Sequence, residues 1–351
     1  MFEHLLHNSE SWLNAKGPDS KIVISSRLRL ARNLKGSVFS NRCRLPQKYE
    51  VLDEVNAAAG KIEQLHSAHF VKMEEISQLD RQFLLERHLI SQEHTLAPKG
   101  KGLIVSDDEK ISMMVNEEDH IRLQVLASGF DLDNIWQKIT ALDDELSRRL
   151  EYAFMPDLGY LTACPTNLGT ALRASCMLHL PALVFTKKIN KILELLTKLS
   201  FTARGLFGEG TQALGNFFQV SNQVTLGLSE PELIENLSGI VNQVKDQEQI
   251  ARQNLLKKYK FTIEDSVWRA VGILKHARLM ATKEALAHLS MLYLGVDLGI
   301  IKKIKPETIN NLFINIQPAH LQKIEQRVLR EQERDYIRAH LIRNNLGGKY
   351  V

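Results

Sequence analysis

The sequence predicts an α+β fold with an α-helical C-terminal part, and three observations carry that expectation. Strand-type runs and helical periods are mixed over the first 240 residues. After Pro231 the apolar spacing is helical almost throughout. The charge also divides: residues 1–250 hold 27 Lys+Arg and 32 Asp+Glu, a net of −5, whereas 251–351 hold 18 and 9, a net of +9. Two domains, 1–240 and 241–351, are therefore expected.

The elements follow in order. KIVISSRLRL (21–30) opens as a β-rich apolar run and then places Arg27 and Arg29 at period two, on one face of a strand. Residues 46–66 and 77–90 have helical spacing, with Pro46 near the start of the first. Gly102–Ser106 and Lys110–Val115 flank Asp107-Asp108-Glu109 and predict a hairpin. Leu132, Ile135, Ile139, Leu142 and Leu146 make 131–151 an amphipathic helix. A Gly/Pro/Thr/Asn loop followed by an apolar segment fills 159–180, and 188–199 is helical. Residues 203–216 are glycine-rich, and 217–228 predict a strand. Leu233, Ile234, Leu237 and Val241 begin a long helix; 264–278, 281–294 and a charged 319–343 complete the helical part.

Composition narrows the class. Hydrophobic residues make up 44% and charged residues 25%, as in a soluble globular enzyme. The longest apolar run, near Leu178–Phe185, is far short of the roughly 18–20 residues that span a bilayer. The N-terminus lacks the basic and apolar pattern of a secretory leader. Cys43, Cys164 and Cys176 are too scattered for a disulfide framework or zinc knuckle, so a cytoplasmic, reducing setting is expected. The basic C-terminal region shows no aromatic-interleaved patch, which leaves nucleic-acid binding as the weakest reading.

Four groups of residues carry chemistry. Asn116-Glu117-Glu118-Asp119-His120 sets adjacent carboxylates directly after a strand, either as a solvated loop or as a grip for a cationic substrate or metal. Arg27, Arg29, Arg122, Arg173 and Arg204 lie at strand ends or loops; singly each suits a surface ion pair, while together they suit phosphate, whose oxygens match the guanidinium fork. Neither a P-loop nor a kinase glycine-rich loop is present, so any ATP would be held by arginines. Cys164 stands at the mouth of a polar turn, Cys164–Thr170, where it is either a buried filler or a reactive thiolate. Gly205, Gly208 and Gly210 surround Glu209, a loop presenting one carboxylate.

Four segments, in order, carry a resemblance: SSRLR (25–29), NEEDHIR (116–122), CPTNLGTALRAS (164–175) and RGLFGE (204–209). With them the chain resembles the ATP:guanido phosphotransferases, the family of creatine and arginine kinases. Within that family it is similar to the bacterial protein-arginine kinase branch. The first motif begins at residue 25, leaving no room before it for the helical N-terminal domain of the small-substrate kinases. The helical segment lies C-terminally instead and carries Arg334-Asp335-Tyr336-Ile337-Arg338-Ala339, the RDxxRA motif with which the branch binds phosphoarginine.

The resemblance implies an antiparallel sheet flanked by helices and a transfer of the γ-phosphoryl group of ATP to arginine side chains in proteins. It implies a nucleotide site of Ser25, Ser26, Arg27, Leu28 and Arg29, then His88, Arg122, and Arg173 with Ala174, Ser175, Cys176 and Met177. Arg204, Gly205, Leu206, Phe207, Gly208 and Glu209 complete it. Glu117 and Glu209 would orient the substrate guanidinium, with Glu209 the favoured base and Cys164 against the guanidinium edge. Arg334, Asp335, Arg338 and Ala339 would bind phosphoarginine. Mg²⁺ would be held by phosphates and water, without a dedicated protein ligand set. Implied partners are arginine-bearing protein substrates, a metal-binding activator protein, a stress-gene repressor and a Clp protease system; at least a homodimer is implied.

The chemistry fits those roles. A guanidinium is a poor nucleophile because its lone pairs are delocalised and its pKa exceeds about 12. Two carboxylates align one nitrogen and take its proton as transfer proceeds. Arginines and Mg²⁺ stabilise the charge of a metaphosphate-like transition state. Two positions depart from the pattern: Ala171 stands where the family usually has Gly, and Gln212 follows Thr211 where the branch commonly has Glu after Ser. A non-catalytic phosphoarginine-binding regulator and a kinase of a small free guanidine are the alternative readings.

Overall fold

The structure, a computed structural model, describes residues 2–7, 12–205 and 214–347. Eight strands form one sheet: β1 (Val23–Arg32), β2 (His69–Lys72), β3 (Gly102–Val105), β4 (Ile111–Val115), β5 (Ile121–Ser128), β8 (Leu172–His179), β9 (Phe201–Arg204) and β10 (Phe217–Asn222). A separate two-stranded ribbon holds β6 (Phe154–Met155) and β7 (Gly159–Tyr160). The sheet order is β2-β3-β4-β5-β1-β8-β10-β9, and every pairing is antiparallel. Residues 217–228 were expected as one strand; β10 stops at Asn222, whose side-chain amide bonds Leu172 O and Val224 O and turns the chain away.

The pleat gives the sheet two different faces. Leu28, Leu30, Leu123, Val125, Ala174, Cys176 and Val220 face the main core. That core is closed by α1 (Leu45–Ala59), α4 (Leu132–Ser147) and the long α7 (Glu230–Lys258). The other face is divided. Toward β2–β4, Leu103, Val105 and Met114 pack under Phe83 and Leu84 of α2 (Gln78–Glu86). Toward β5, β1 and β8 it carries the arginines.

Helices start where the sequence can satisfy free N–H groups. Ser77 caps α2 through Asp80 N, and Ser91 caps the short α3 (Gln92–Thr95) through His94 N. Ser229 and Glu232 make a reciprocal capping box at the start of α7. The expected division at 240/241 falls inside α7, which is continuous from Glu230 to Lys258. Leu233, Leu237, Val241 and Val244 anchor that helix in the same core as β8 and β10, so the strand-bearing part keeps it.

Two further helices follow β8: α5 (Pro181–Phe185) and α6 (Ile189–Lys198). The C-terminal part comprises α8 (Lys260–His276), α9 (Thr282–Asp297), α10 (Pro306–Asn315), α11 (Pro318–Ile324) and α12 (Glu331–Asn345). One helix was expected over 319–343. It is two, because the chain turns through Gln326 at φ +53° and Leu329 N bonds back to the Gln322 side chain. Two of the contacts by which this part docks are polar and buried or half-buried. At one, Ser290 of α9 bonds both His179 and Asn216. At the other, α11 lies on α2, where Lys323 pairs with Asp80 at 2.7 Å.

Candidate active site

Strand register assembles the arginine face. Arg27 lies opposite Leu126 on β5 and Ser175 on β8; Arg29 lies opposite Gln124 and Arg173; Ala31 lies opposite Arg122. Arg204 is opposite Gln219, which is opposite Met177, which is opposite Ser25. Cross-strand partners share a face, so Ser25, Arg27, Arg29, Arg122, Arg173, Ser175, Met177 and Arg204 all project from one side of the sheet. Sequence separations of up to 179 positions collapse onto one face of the sheet.

Concentrated like charge needs a reason. Burial first, then Arg122 and Arg173, push the Arg27 guanidinium down to about 9. Burial and the charges of Arg122, Arg27 and Arg173 hold Arg29 well below its ordinary range, with Glu117 opposing them. The Nε atoms of Arg27 and Arg29 are buried without a hydrogen-bond acceptor among the described residues. Buried donors of this kind cost free energy unless a ligand supplies acceptors. Arg173 donates to Thr202 Oγ1 at 3.1 Å and Ser221 Oγ at 3.0 Å, which fixes its direction. A polyanion would satisfy the orphaned donors and reverse the repulsion.

The acidic loop divides its carboxylates by task. Asp119 Oδ1 accepts from Asn33 Nδ2 and Ala163 N, both at 2.6 Å, and the buried His120 is bonded to Leu34 N and Val38 O. These two build the loop. Glu117 has a side chain only 2% exposed. Its Oε1 takes Arg122 Nη1 at 2.6 Å and the Ser91 hydroxyl, and its Oε2 takes Glu118 N at 2.9 Å. Burial would raise this carboxyl, but Arg122, Ser91 and the Glu118 N–H outweigh it and hold it well below the usual carboxylate range. Glu117, expected to orient substrate, is thus filled by internal donors and positions Arg122. Glu118 is exposed and turns toward the Cys164 loop, where Asn167 Nδ2 lies 3.5 Å from its carboxylate. Burial and then the charges of Asp119 and Glu117 raise the Glu118 carboxyl, the direction a base requires. In the sequence Glu118 is one of a run of adjacent carboxylates, and adjacency does not tell which of them is packed inward.

Cys164 is partly exposed, with Sγ 2.9 Å from Thr166 Oγ1. Asp119, gripping Ala163 N, ties this turn to the acidic loop. The Cys164 turn is therefore held beside Glu118.

His88 ends α2 with φ +60°, a left-handed cap. It shares a small cavity with Arg27, Met177, Gln219 and Trp12. Burial first, then Arg27, push the imidazole down to about 3, so it is neutral beside the arginines. Trp12 meets it edge-on at 5.4 Å between ring centroids. Trp12 and Gln219 were not anticipated, since neither lies in a local pattern that marks it.

The pleat also removes residues from the expected site. Ser26, Leu28, Ala174 and Cys176 point to the opposite, buried face; Ser26 Oγ donates to Gly129 O at 2.8 Å and lies 3.6 Å from Cys176 Sγ. Their side chains pack the core beneath the arginines. Gly205 forms a bridge just after β9. Leu206, Phe207, Gly208, Glu209, Thr211 and Gln212 lie outside the described residues.

On α12 the RDxxRA residues serve each other. Arg338 is 1% exposed; its Nε donates to Ile316 O at 2.9 Å and its Nη1 to Met280 O at 2.8 Å and to Asp335 Oδ1. Ala339 is buried. Arg334 is half-buried, with one donor on Leu329 O at 3.1 Å. The resemblance implies that Arg334 and Arg338 both contact phosphoarginine. Arg338 instead braces the motif, while Arg334 and Asp335 border solvent.

Comparison with known proteins is consistent across methods. Residues 50–251 match the family described as ATP:guanido phosphotransferase, C-terminal catalytic domain, and residues 260–349 match the protein-arginine kinase McsB C-terminal domain. The chain is 46% identical over 339 residues to a protein-arginine kinase of Halothermothrix orenii, covering 97% of each. It is 48% identical to that of Desulforamulus reducens, covering 95% of each. Among solved structures, a lombricine kinase superposes with a TM-score of 0.60 at 26% identity, covering 66% of this chain and 67% of that one. A duplicated taurocyamine kinase from Schistosoma mansoni with bound transition-state-analogue components gives 0.60 at 26%, covering 68% and 34%.

Proposed function

The chain belongs to the ATP:guanido phosphotransferase family, in its protein-arginine kinase branch, and from that premise we propose that it transfers the γ-phosphoryl group of ATP to the guanidinium of protein arginine side chains. The observation that carries the reading is the arginine face, with two buried guanidinium donors that find no acceptor among the described residues. Arg27, Arg29, Arg122 and Arg173 would hold the triphosphate, and His88, beside Arg27, would contact the nucleotide. Holding the phosphates by fixed charge stabilises what accumulates on them during transfer.

Glu118 would accept a proton from the attacking nitrogen and align it, together with Glu209 from beyond the described residues. Cys164 stands in the turn held beside Glu118 and would border the guanidinium. Mg²⁺ fits as an ion carried by the nucleotide: Glu117 is filled by Arg122 and Ser91, and Mg²⁺ is satisfied by phosphate and water oxygens. When bound, it would neutralise charge across the phosphate oxygens. Arg334 and Asp335 would recognise phosphoarginine, the first taking the phosphoryl oxygens and the second the remaining N–H groups.

Among the described residues no helix is long and apolar enough to cross a membrane. A cytoplasmic location, a homodimer, a metal-binding activator, a stress-gene repressor and a Clp protease system remain part of the proposal through the family alone. The test is incubation with Mg²⁺-ATP and an arginine-rich protein, followed by acid-labile phosphate analysis and mass spectrometry. Phosphoarginine on the protein is expected. Transfer to free arginine alone would favour a small-guanidine kinase, and no transfer with retained phosphoarginine binding would favour a regulator.

A further inference from the structure

A cluster far from the arginine face has ligand chemistry that phosphoryl transfer does not use. We propose that His4, His69 and Asp107 form a binding site for a divalent transition-metal ion of the zinc class. One ligand-type atom from each of the three lies within 4.8 Å of the other two. His69 Nε2 is 2.7 Å from Asp107 Oδ1, and the His4 and His69 rings are 5.1 Å apart between centroids. Two imidazoles with one carboxylate is a donor set that suits zinc, copper or nickel far better than magnesium or calcium.

The three residues come from three separately anchored segments. Phe2 and Leu5, buried at 3% and 0%, pin the single turn Glu3–His7 into the core around Phe83 and Leu84. His69 opens β2, the edge strand of the sheet, opposite Val105. Asp107 sits in the β3–β4 turn, whose other carboxylates are engaged elsewhere: Asp108 with Lys110 at 3.2 Å and Glu109 with Arg87 at 2.5 Å. The backbones are thus fixed, while the three side chains are exposed. Tetrahedral bonds of about 2.0–2.1 Å place zinc ligands roughly 3.3 Å apart. Side-chain rotation supplies that closure, and water takes the fourth position. The ion would displace the proton shared by His69 and Asp107 and tie the N-terminal turn to the sheet edge. Binding to the folded chain alone then stabilises it by mass action.

The experiment titrates Zn²⁺, as the chloride, into the full-length chain without nucleotide, by calorimetry. One site is expected, weakened at least about tenfold in His4→Ala, His69→Ala and Asp107→Asn. These side chains are exposed, so the variants should melt like wild type without metal. Zn²⁺ should also slow amide exchange over residues 2–7. Unchanged Zn²⁺ affinity in His69→Ala, or loss of the site in Cys164→Ser with the three variants unaffected, would overturn the assignment.

Discussion

Arg29 and Arg173 stand directly opposite each other on adjacent antiparallel strands, β1 and β8. Like charges in that position are destabilising. Arg29 also has a buried Nε without an acceptor among the described residues. The sheet thus carries an unfavourable arrangement that an anion converts into a favourable one.

Replacing Arg29 by Ala should weaken ATP binding by about 1.5–3 kcal/mol, while leaving the nucleotide-free chain as stable as wild type or more so. Sulfate should raise the melting temperature of wild type more than that of the variant. Calorimetry with a non-hydrolysable ATP analogue, alongside thermal melting, reads both. Equal nucleotide affinity would remove Arg29 from the phosphate site.

The acidic loop predicts a split between neighbours. Glu118→Gln should lower kcat about 10²–10⁴-fold with ATP affinity retained, as expected for loss of a base. Glu117→Gln should weaken ATP binding as well, because Arg122 loses the partner that aims it. The opposite split, with transfer sensitive to Glu117 alone, would return the substrate-facing role to Glu117.

The α2–α11 contact is pH-sensitive through Glu86. Its carboxylate accepts Ala319 N and His320 N and lies 2.8 Å from His320 Nδ1. Burial pushes it up to about 7, against the pull of those N–H groups and of Arg338 and Arg334. A carboxyl raised on folding gives stability that is full below the unfolded value near 4.5 and is lost as pH rises through about 7. Glu86→Gln should lack that loss, so its stability relative to wild type should climb between pH 4.5 and 7 and level off above. A difference that stays flat with pH, in denaturant titrations, contradicts this.

On α12, Arg334→Ala should abolish phosphoarginine binding with little change in stability. Arg338→Ala should destabilise the fold, because two backbone carbonyls and Asp335 lose a buried donor. Asp335→Ala should also lose phosphoarginine and leave ATP affinity unchanged. Binding and melting data on the three variants check this; phosphoarginine binding that survives in Arg334→Ala and Asp335→Ala would leave an ordinary charged helix.

Ala171 has φ +51°, a left-handed conformation that glycine adopts without steric cost. Its carbonyl accepts Ala31 N at 3.1 Å, so the backbone cannot relax without breaking a bond to β1. Ala171→Gly, which restores the residue usual in the family, should stabilise the chain by about 0.5–1 kcal/mol, the steric relief exceeding glycine's entropy cost. A lowered denaturation midpoint would count against it.

Much of this was legible in the chain. Period two put Arg27 and Arg29 on one strand face, the Asp107-Asp108-Glu109 turn marked its hairpin, and helical spacing marked α4 and α7. Such patterns are local, because a pleat or a helical turn imposes its period on adjacent residues. The four motifs in order also carried the family, and with it the antiparallel sheet.

What the sequence determined by itself is therefore the class of elements, the family and the list of chemically able residues. Tertiary structure decided which of them act together. Pleat direction sent Ser26 and Cys176 inward while their neighbours Arg27 and Ser175 faced the site. Packing chose between Glu117 and Glu118, since only three-dimensional contact brings Arg122 and Ser91 onto one carboxylate and leaves the other open. Gln219 joined the cavity through strand order and Trp12 through packing with Leu126 and Ile314, and His4 met His69 and Asp107 because its turn is buried against α2. Side-chain direction and long-range register are set by burial across the whole core, and no local period encodes them.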